Sequence, residues 1–310
     1  MISIIVPIYN GAAFLDECLQ SVLRQDSNEW ELLLIDDGST DATPEICQSY
    51  LHDNRVRYFR KENSGVQDTR WLGVQKAKYG HVIFLDADDL LLPSTIGVLC
   101  KHLGEADVIS FGMQTFSTAD EIENNLDTDV ISETITDKMI ILKGILSGKM
   151  MSCVCGGVYS TQMLSKCEKL FCNKMKIGED TMFNTEFVYA MSPRVAIMRT
   201  RFYCYRTNSN SVTHTYDSKR HVAVYSTITY LENFLIRNQL YKALRQEAGF
   251  RLLLLWSSFM FHPDNEYYRD KAIRKRMRSL YFPAFRYLYS YLKVYLFIDL
   301  FIWKLEKKWK

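Results

Sequence analysis

The sequence lacks the features that mark nucleic-acid-binding, secreted or membrane-spanning proteins. Its 310 residues carry a formal net charge of only +2, which is too small to indicate a nucleic-acid partner. No basic region with a cleavage site precedes the first apolar run, so we expect no secretory signal and a cytoplasmic protein. The apolar stretch at residues 287–303 is interrupted by Lys293 and Asp299, which makes it a poor candidate for a spanning helix.

The cysteines form no recognisable metal or disulfide pattern. Cys18, Cys47 and Cys100 fall within apolar runs, and without a signal peptide we expect reduced thiols. Four more lie close together in sequence: Cys153, Cys155, Cys167 and Cys172. Their spacing matches no common zinc site, so we do not expect structural zinc.

Strand-like and helix-like segments alternate over about the first ninety residues. Apolar runs predict buried strands at residues 2–8, 30–35, 55–59 and 82–85. Helical spacing and capping residues predict helices at residues 13–24 and 66–78, and a further helix that begins at residue 43. This alternation indicates an α/β protein with a mostly parallel, Rossmann-like sheet flanked by helices. Ligands of such sheets bind outside the carboxyl ends of the strands.

Carboxylates stand at two of these strand ends. Asp86, Asp88 and Asp89 directly follow the strand at residues 82–85, and Asp36 and Asp37 end the second strand. Carboxylates this close repel one another, and Mg²⁺ or Mn²⁺ commonly binds one or two of them together with substrate phosphates. The sequence therefore predicts a metal and diphosphate site. The alternative is a solvated acidic turn.

The second part of the chain is less regular. It contains helix-like segments at residues 93–103 and 136–146, strand-like segments at 106–111 and 154–159, and two short strands that could pair, 195–198 and 201–205. Residues 117–133 are polar and acidic and predict an exposed loop or hairpin. Glu179 and Asp180 begin a predicted helix, where carboxylates also simply complement the helix dipole.

From residue 216 onward the pattern becomes helical. Glycine almost disappears, and helices are predicted at residues 222–236, 241–261 and 265–280. We therefore divide the chain into residues 1–215 and a helical extension, 216–310. The last stretch is basic and aromatic, which fits an amphipathic helix on a membrane surface. The alternative is a helix that packs on the catalytic domain or on a second subunit.

Five motifs occur in a characteristic order. They are IIVPIYN at residues 4–10, LIDDGSTD at 34–41, NSG at 63–65 followed by Arg70, FLDADD at 84–89, and GED at 178–180. In this order and spacing the sequence resembles family 2 glycosyltransferases with the GT-A fold, over about residues 1–214. The resemblance implies inverting transfer of a sugar from a nucleotide diphosphate donor, of the kind used in bacterial polysaccharide synthesis.

The resemblance also implies roles on the donor side. Pro7, Ile8 and Tyr9 would line the nucleobase pocket. Asp37 would accept a hydrogen bond from the base, which favours uracil and a UDP-sugar. Arg70 would approach the base or the diphosphate, although Trp71 replaces the family's usual asparagine beside it.

The remaining implied roles concern the metal and the base. Asp86 and Ala87 would contact the ribose, and Asp88 would ligate Mn²⁺ or Mg²⁺. Asp180 would be the general base, and its neighbour Glu179 could replace it. Tyr205-Arg206 and residues 211–213 resemble a segment that closes over the diphosphate, where His214 would be either a metal or phosphate ligand or a solvated side chain.

The predicted function is therefore metal-dependent sugar transfer to a hydroxyl of a glycan acceptor. One alternative keeps the fold and transfers the sugar to a lipid-linked acceptor or lipid phosphate at the membrane surface. A second alternative is a sugar-nucleotide-binding module without turnover, but such a module would have no need for both Asp88 and Asp180. A homodimer built on the C-terminal helices is compatible with each of these.

Overall fold

The structure is a computed structural model that describes residues 1–123, 130–151, 153–171, 175, 177–207, 220–260 and 275. Within these residues, nine strands form one sheet. They are β1 (Ile2–Ile8), β2 (Trp30–Asp36), β3 (Val56–Arg60), β4 (His81–Phe84), β5 (Leu90–Leu91), β6 (Val108–Phe116), β7 (Ile131–Ile135), β8 (Gly157–Ser160) and β9 (Val195–Arg206).

Helices connect and cover these strands. Those of the first 110 residues are α1 (Leu15–Leu23), α2 (Thr43–Ser49), α3 (Val66–Lys76) and α4 (Thr95–His102). The later ones are α5 (Lys138–Leu146), α6 (Thr161–Leu164), α7 (Glu168–Phe171), α8 (Glu179–Met191), α9 (Arg220–Arg237) and α10 (Tyr241–Met260).

The strand order in the sheet is β3-β2-β1-β4-β8-β6-β9-β5, with β7 paired to β9. Strands β1 to β4 are parallel to one another. Strand β8 is antiparallel to both β4 and β6, so β6 and its parallel neighbour β9 run in the same direction as β1. Six of the nine described strands therefore share one direction, which confirms the predicted mostly parallel sheet.

The centre of the sheet explains the apolar runs of the sequence. Every residue of β1 and β2 is buried, because helices cover both faces of these strands. Helix α3 packs closely on β1, since a Cβ at Gly73 would overlap the side chain of Ile5. This close packing brings the first turns of α3 to the carboxyl ends of β1 and β4.

The structure corrects three details of the predicted second half. Residues 195–198 and 201–205 are not two paired strands but parts of the single strand β9, which pairs with β6 along its length. The end of the stretch expected as an exposed loop or hairpin forms β7, which pairs antiparallel with the distant strand β9. Residues 154–156 form a 3-10 turn before β8. In the first two cases pairing with distant strands decides the conformation, and local sequence does not encode it.

Helices α9 and α10 confirm the first two predicted C-terminal helices. Val224, Ile228 and Leu231 of α9 and Leu244 of α10 belong to the same hydrophobic core as β1. The third predicted helix and the basic, aromatic tail lie outside the described residues, and the domain boundary at residue 215 stays a prediction. Within the described part of the chain, every helix falls short of the length and apolar character that crossing a bilayer requires.

Candidate active site

The loops that follow β1 and β2 are tied together by hydrogen bonds. The backbone N–H of Asn10 donates to the hydroxyl of Ser39 over 2.9 Å, and the backbone N–H of Thr40 donates to the side-chain oxygen of Asn10 over 2.8 Å. Pro7 and Ile8 end β1 as buried residues, whereas Tyr9 is 56% exposed. The first predicted strand end is thus a fixed loop that presents an aromatic ring to solvent.

Asp37 is buried and holds the turn before α3. Its carboxylate accepts hydrogen bonds from the backbone N–H groups of Ser64 at 2.9 Å and Gly65 at 2.8 Å, and from the ammonium of Lys61. Gly65 has φ of 99°, a left-handed conformation that favours glycine. Asp37 therefore fixes the start of α3, and most of its acceptor capacity is already used within the protein.

Arg70 joins two motifs of the site that are far apart in sequence. From α3, its Nη1 donates to Oδ1 of Asp180 over 2.8 Å and its Nη2 donates to Oδ1 of Asp86 over 3.1 Å. The guanidinium is only 3% exposed. Burial alone would lower the pKa of Arg70, but the charges of Asp180 and Asp86 raise it well above its ordinary value. Arg70 is therefore a permanent cation between these two carboxylates.

Asp180 lies in the first turn of α8, which Gly178 begins with φ of 74°. One of its oxygens accepts the bond from Arg70, and its side chain is 23% exposed. Its neighbour Glu179 has a pKa raised to about 7, mainly by burial and then by the charge of Asp180. The two carboxylates differ in surroundings, and Asp180 is the one held by the cation.

The acidic loop after β4 is locked to β9. Asp89 is buried and accepts hydrogen bonds from the hydroxyl of Tyr203 at 2.5 Å and from the backbone N–H of Arg206 at 2.7 Å. The side chain of Arg206 donates to the backbone carbonyl of Asp88 over 2.8 Å. Burial raises the pKa of Asp89 to about 8. Asp89 is thus the structural member of the cluster, and Asp86 and Asp88 are the members with exposed surface.

The carboxylates of Asp86 and Asp88 suit a cation that also binds phosphate. Burial, and then the charge of Asp86, raises the pKa of Asp88, so a positive charge beside the pair would be favourable. No cluster of three or more His, Cys, Asp and Glu side chains suited to a metal occurs in the described parts of the chain. One or two carboxylates with substrate phosphates make a common Mg²⁺ or Mn²⁺ site. His214 lies outside the described residues.

Several residues of this site carried no signal in the sequence. Tyr203 is one: besides binding Asp89, its oxygen accepts from the backbone N–H of Asp86 over 3.2 Å. The thiol of Cys155 donates to Asp86 over 3.3 Å. Both lie on apolar stretches that look like ordinary core. For Arg206, the family resemblance predicted a position near the diphosphate. The structure places its side chain beneath the loop after β4, against the rings of Phe14 and Phe116.

The C-terminal helices reach the same site through Arg251. From α10, its Nε and Nη2 donate to the hydroxyl of Thr181, over 2.9 and 2.7 Å. Burial lowers the pKa of Arg251, while the charges of Cys153 and Asp180 act in the opposite direction. Thr181 directly follows Asp180, so α10 supports the first turn of α8. The described part of the helical extension is therefore continuous with the site.

Comparison with known proteins identifies the family. The family model "Glycosyl transferase family 2" matches residues 3–165, which is more than half of the chain. The chain belongs to glycosyl transferase family 2. The family 2 resemblance expected from the five motifs is thus confirmed, and the matched residues include the loops after β1, β2 and β4.

Relatives with similar sequences are bacterial proteins named as glycosyltransferases. Glycosyltransferase GlyG of Streptococcus pneumoniae is 29% identical over 226 residues, covering 69% of this chain and 73% of that protein. Glycosyltransferase GlyA of the same organism is 28% identical over 227 residues, covering 70% of this chain but only 32% of its own length. The uncharacterized glycosyltransferase EpsJ of Bacillus subtilis is 26% identical, covering 69% of this chain and 63% of that protein.

Solved structures share the fold. The S. aureus TarS 1–349 complex with UDP-GlcNAc has a TM-score of 0.61 at 21% identity, covering 90% of this chain and 79% of that one. The mannosyltransferase PcManGT from Pyrobaculum calidifontis, in complex with GDP-Man and Mn²⁺, has a TM-score of 0.52 at 12% identity, covering 96% and 84%. These likenesses confirm the predicted GT-A fold.

Proposed function

We propose that this protein is an inverting, metal-dependent glycosyltransferase that moves a sugar from a nucleotide diphosphate donor to a hydroxyl of a glycan acceptor. A UDP-sugar is the favoured donor. The observation that carries the proposal is the bridge made by Arg70, which binds Asp86 at 3.1 Å and Asp180 at 2.8 Å. It joins the acidic end of β4 to the start of α8, which are far apart in sequence.

The bridge suits a single displacement reaction. In inversion, an acceptor hydroxyl attacks the anomeric carbon from the face opposite the leaving group, and the bond to the diphosphate breaks as the new bond forms. The hydroxyl proton passes to a carboxylate within hydrogen-bond reach. We assign this role to Asp180, because Arg70 holds one of its oxygens in place while the side chain keeps exposed surface. No second nucleophilic carboxylate is needed.

The donor side is assigned to the strand ends of β1, β2 and β4. In this proposal Pro7, Ile8 and Tyr9 line the nucleobase site, and Asp37 contacts the base through its remaining acceptor capacity. Arg70 contributes by positioning Asp86 as well as by any contact with the nucleotide.

The ribose and metal assignments concern the loop after β4. Asp86 and Ala87 are assigned to the ribose, and Asp88 would hold Mn²⁺ or Mg²⁺, with His214 as a further proposed ligand. A divalent cation there supplies charge neutralisation for the departing nucleoside diphosphate. The buried carboxylate of Asp89 keeps this loop on β9 through Tyr203 and the backbone of Arg206.

The experiment that tests the proposal is calorimetric titration of UDP, GDP and CDP, each with and without Mn²⁺. Binding of UDP that requires the metal and is lost in Asp88→Ala supports the proposed site. Preference for GDP or CDP overturns the uracil assignment of Asp37 and keeps the reaction class. Binding that is independent of Asp88, or a wild-type protein that binds UDP-sugars and turns none over with any acceptor or water, favours the non-catalytic module.

A further inference from the structure

A cavity lies at the irregular part of β6 and β9, next to a segment that is hydrogen-bonded to the helix carrying the proposed catalytic base. Its volume is about 330 Å³. It is lined by residues from the bulged middle of β6, from the segment between α5 and the 3-10 turn, and from β9, including Phe111, Met113, Met151, Cys153, Gly156 and Met198. None of the residues assigned above to the nucleotide lines it.

The strand register places the cavity at the same sheet edge as the acidic loop. Ile83 of β4 pairs with Val158 of β8, which in turn pairs with Ile109 of β6. Because β6 and β4 run in the same direction, residues 111–113 continue past this level, as the loop with Asp86 does after β4. The cavity therefore lies at the same edge of the sheet as the donor loops, on the side of β6 and β9.

The cavity wall is also tied to the helix that carries the proposed base. Asn184, one turn after Asp180 on α8, donates from its side chain to the backbone carbonyls of Met151 at 2.7 Å and Cys153 at 3.1 Å. Asn184 is fully buried, so this connection is rigid. The wall and the proposed base are thus positioned by one helix, as expected for a subsite that delivers an acceptor hydroxyl to Asp180.

The lining chemistry is unusual for a site that holds a bare sugar. Among the lining residues that the structure describes, only Ser110, Lys149 and Arg199 carry polar side chains besides the weakly polar thiol of Cys153. A buried sugar ring would leave hydroxyls without partners, which is costly. Methionine side chains are flexible and adapt to apolar groups of varied shape.

The two cations give the cavity a charge preference. Lys149 and Arg199 are exposed, and neither forms an ion pair with a carboxylate within the described part of the chain. An apolar interior with two such cations complements a molecule with an apolar chain and an anionic group.

We propose that this cavity is the acceptor subsite and that it takes the chain and phosphate of a lipid-linked acceptor, rather than a free neutral glycan. This inference rests on the proposed sugar transfer and specifies its acceptor class. The acceptor hydroxyl then lies between the lipid phosphate and Asp180, and the donor enters from the side of Asp86.

The test uses probes that contain neither sugar nor nucleotide. Decyl phosphate, octyl glucoside and inorganic phosphate are titrated calorimetrically, below micelle-forming concentrations, into the full chain saturated with UDP and Mn²⁺. We expect decyl phosphate to bind about tenfold more tightly than octyl glucoside, because the neutral amphiphile lacks the charge interaction. Inorganic phosphate should bind more weakly than decyl phosphate, because it buries no apolar surface.

Two variants connect this binding to the cavity. A Cβ at Gly156 would stand 3.5 Å from the sulfur of Cys153 and 3.6 Å from that of Met113, so Gly156→Ala fits while filling space. It should weaken decyl phosphate binding about tenfold. The matched control is Gly80→Ala, whose Cβ would meet no atom within 4 Å. Joint replacement of Lys149 and Arg199 by glutamine should also weaken decyl phosphate about tenfold and leave octyl glucoside unchanged.

The outcomes separate this inference from the proposed function. Tight binding of decyl phosphate that weakens in Gly156→Ala but not in Gly80→Ala supports the subsite. Equal affinities for decyl phosphate and octyl glucoside, or equal decyl phosphate affinities in the two glycine variants, overturn it. Titration of UDP into the same protein preparations, before they are saturated with nucleotide, is the independent readout. Intact UDP binding without decyl phosphate binding removes only the acceptor assignment, whereas loss of all nucleotide binding removes the proposed function itself.

Discussion

The two halves of the site are built in different ways. On the donor side, the loops after β1 and β2 are fixed by hydrogen bonds among short motifs, such as Asn10 to Ser39 and Asp37 to Gly65. On the side of Asp180, the supports come from distant parts of the chain, namely Arg70 of α3 and, through Thr181, Arg251 of α10. Local motifs thus build the nucleotide side, and tertiary contacts build the side that we assign to catalysis.

If the halves are separable, removing the proposed base should affect only one of them. We expect Asp180→Asn to lower the transfer rate about a thousandfold, because a general base contributes roughly this much, and to leave UDP affinity unchanged. The measurements are turnover of the nucleotide sugar and UDP titration. The same two measurements on Glu179→Gln show which carboxylate is the base. If Glu179→Gln loses transfer and Asp180→Asn does not, the base is Glu179.

Arg70 is the residue that joins the halves, so its replacement should damage both. Arg70→Lys keeps one charge but loses the planar fork that reaches Asp86 and Asp180 together. We expect transfer to fall about a hundredfold, because small misplacements of reacting groups cost this much. UDP binding should also weaken, and the free energy of unfolding should fall by about 2 kcal/mol, since lysine cannot keep both charge-assisted hydrogen bonds. Unchanged transfer would contradict the bridging role.

The helical extension should influence only the Asp180 side. Arg251→Met removes the two bonds to Thr181, so we expect about a tenfold loss of transfer with unchanged UDP affinity, which is the cost of losing hydrogen bonds to a charged group. Arg245→Met, at an exposed position of the same helix, is the control. Thr181→Val should reproduce the effect, and the double variant should be no worse than either single one. Additive losses would show that the two residues act separately.

The smallest expected effect is on how the free energy of unfolding depends on pH. Because the native pKa of Glu179 is raised from 4.5 to about 7, the folded protein binds its proton more tightly than the unfolded chain does. The stabilising contribution is therefore present below pH 4.5 and is lost as the pH rises towards 7 and above. In Glu179→Gln, the free energy of unfolding, measured with denaturant from pH 4.5 to above pH 7, should fall less as the pH rises. Glu133→Gln, at an exposed position of β7, should leave it unchanged.

Much of the donor half could be predicted from the sequence. The strands β1, β2 and β4 are continuous apolar runs, and each of them is followed by motif residues. A parallel sheet brings the carboxyl ends of such strands to one edge, so the position of the motifs at strand ends indicates the crevice. The prediction of α8 with Glu179 and Asp180 in its first turn was also correct.

What sequence reasoning missed has a common cause. The single strand β9 was predicted as two short strands, because its halves are separated by an irregular stretch and only pairing with β6 joins them. Tyr203 reads as an ordinary strand residue, yet its hydroxyl links Asp86 and Asp89. Nothing in the local pattern of Arg251 indicates that it reaches α8. Such contacts connect residues that are far apart in the chain, where periodicity and spacing carry no information.

The sequence by itself therefore determined the fold class, the family and the strand ends that carry the acidic motifs, because burial patterns and short motifs are local properties. The tertiary structure decided which carboxylates are structural and which remain available. Asp89 is sequestered by Tyr203 and Arg206, and Asp37 keeps only part of its acceptor capacity beside the turn before α3. Asp180 is left with one oxygen on Arg70. The physical reason is that the availability of a carboxylate depends on the donors and charges around it, and here β9, α3 and α10 supply them.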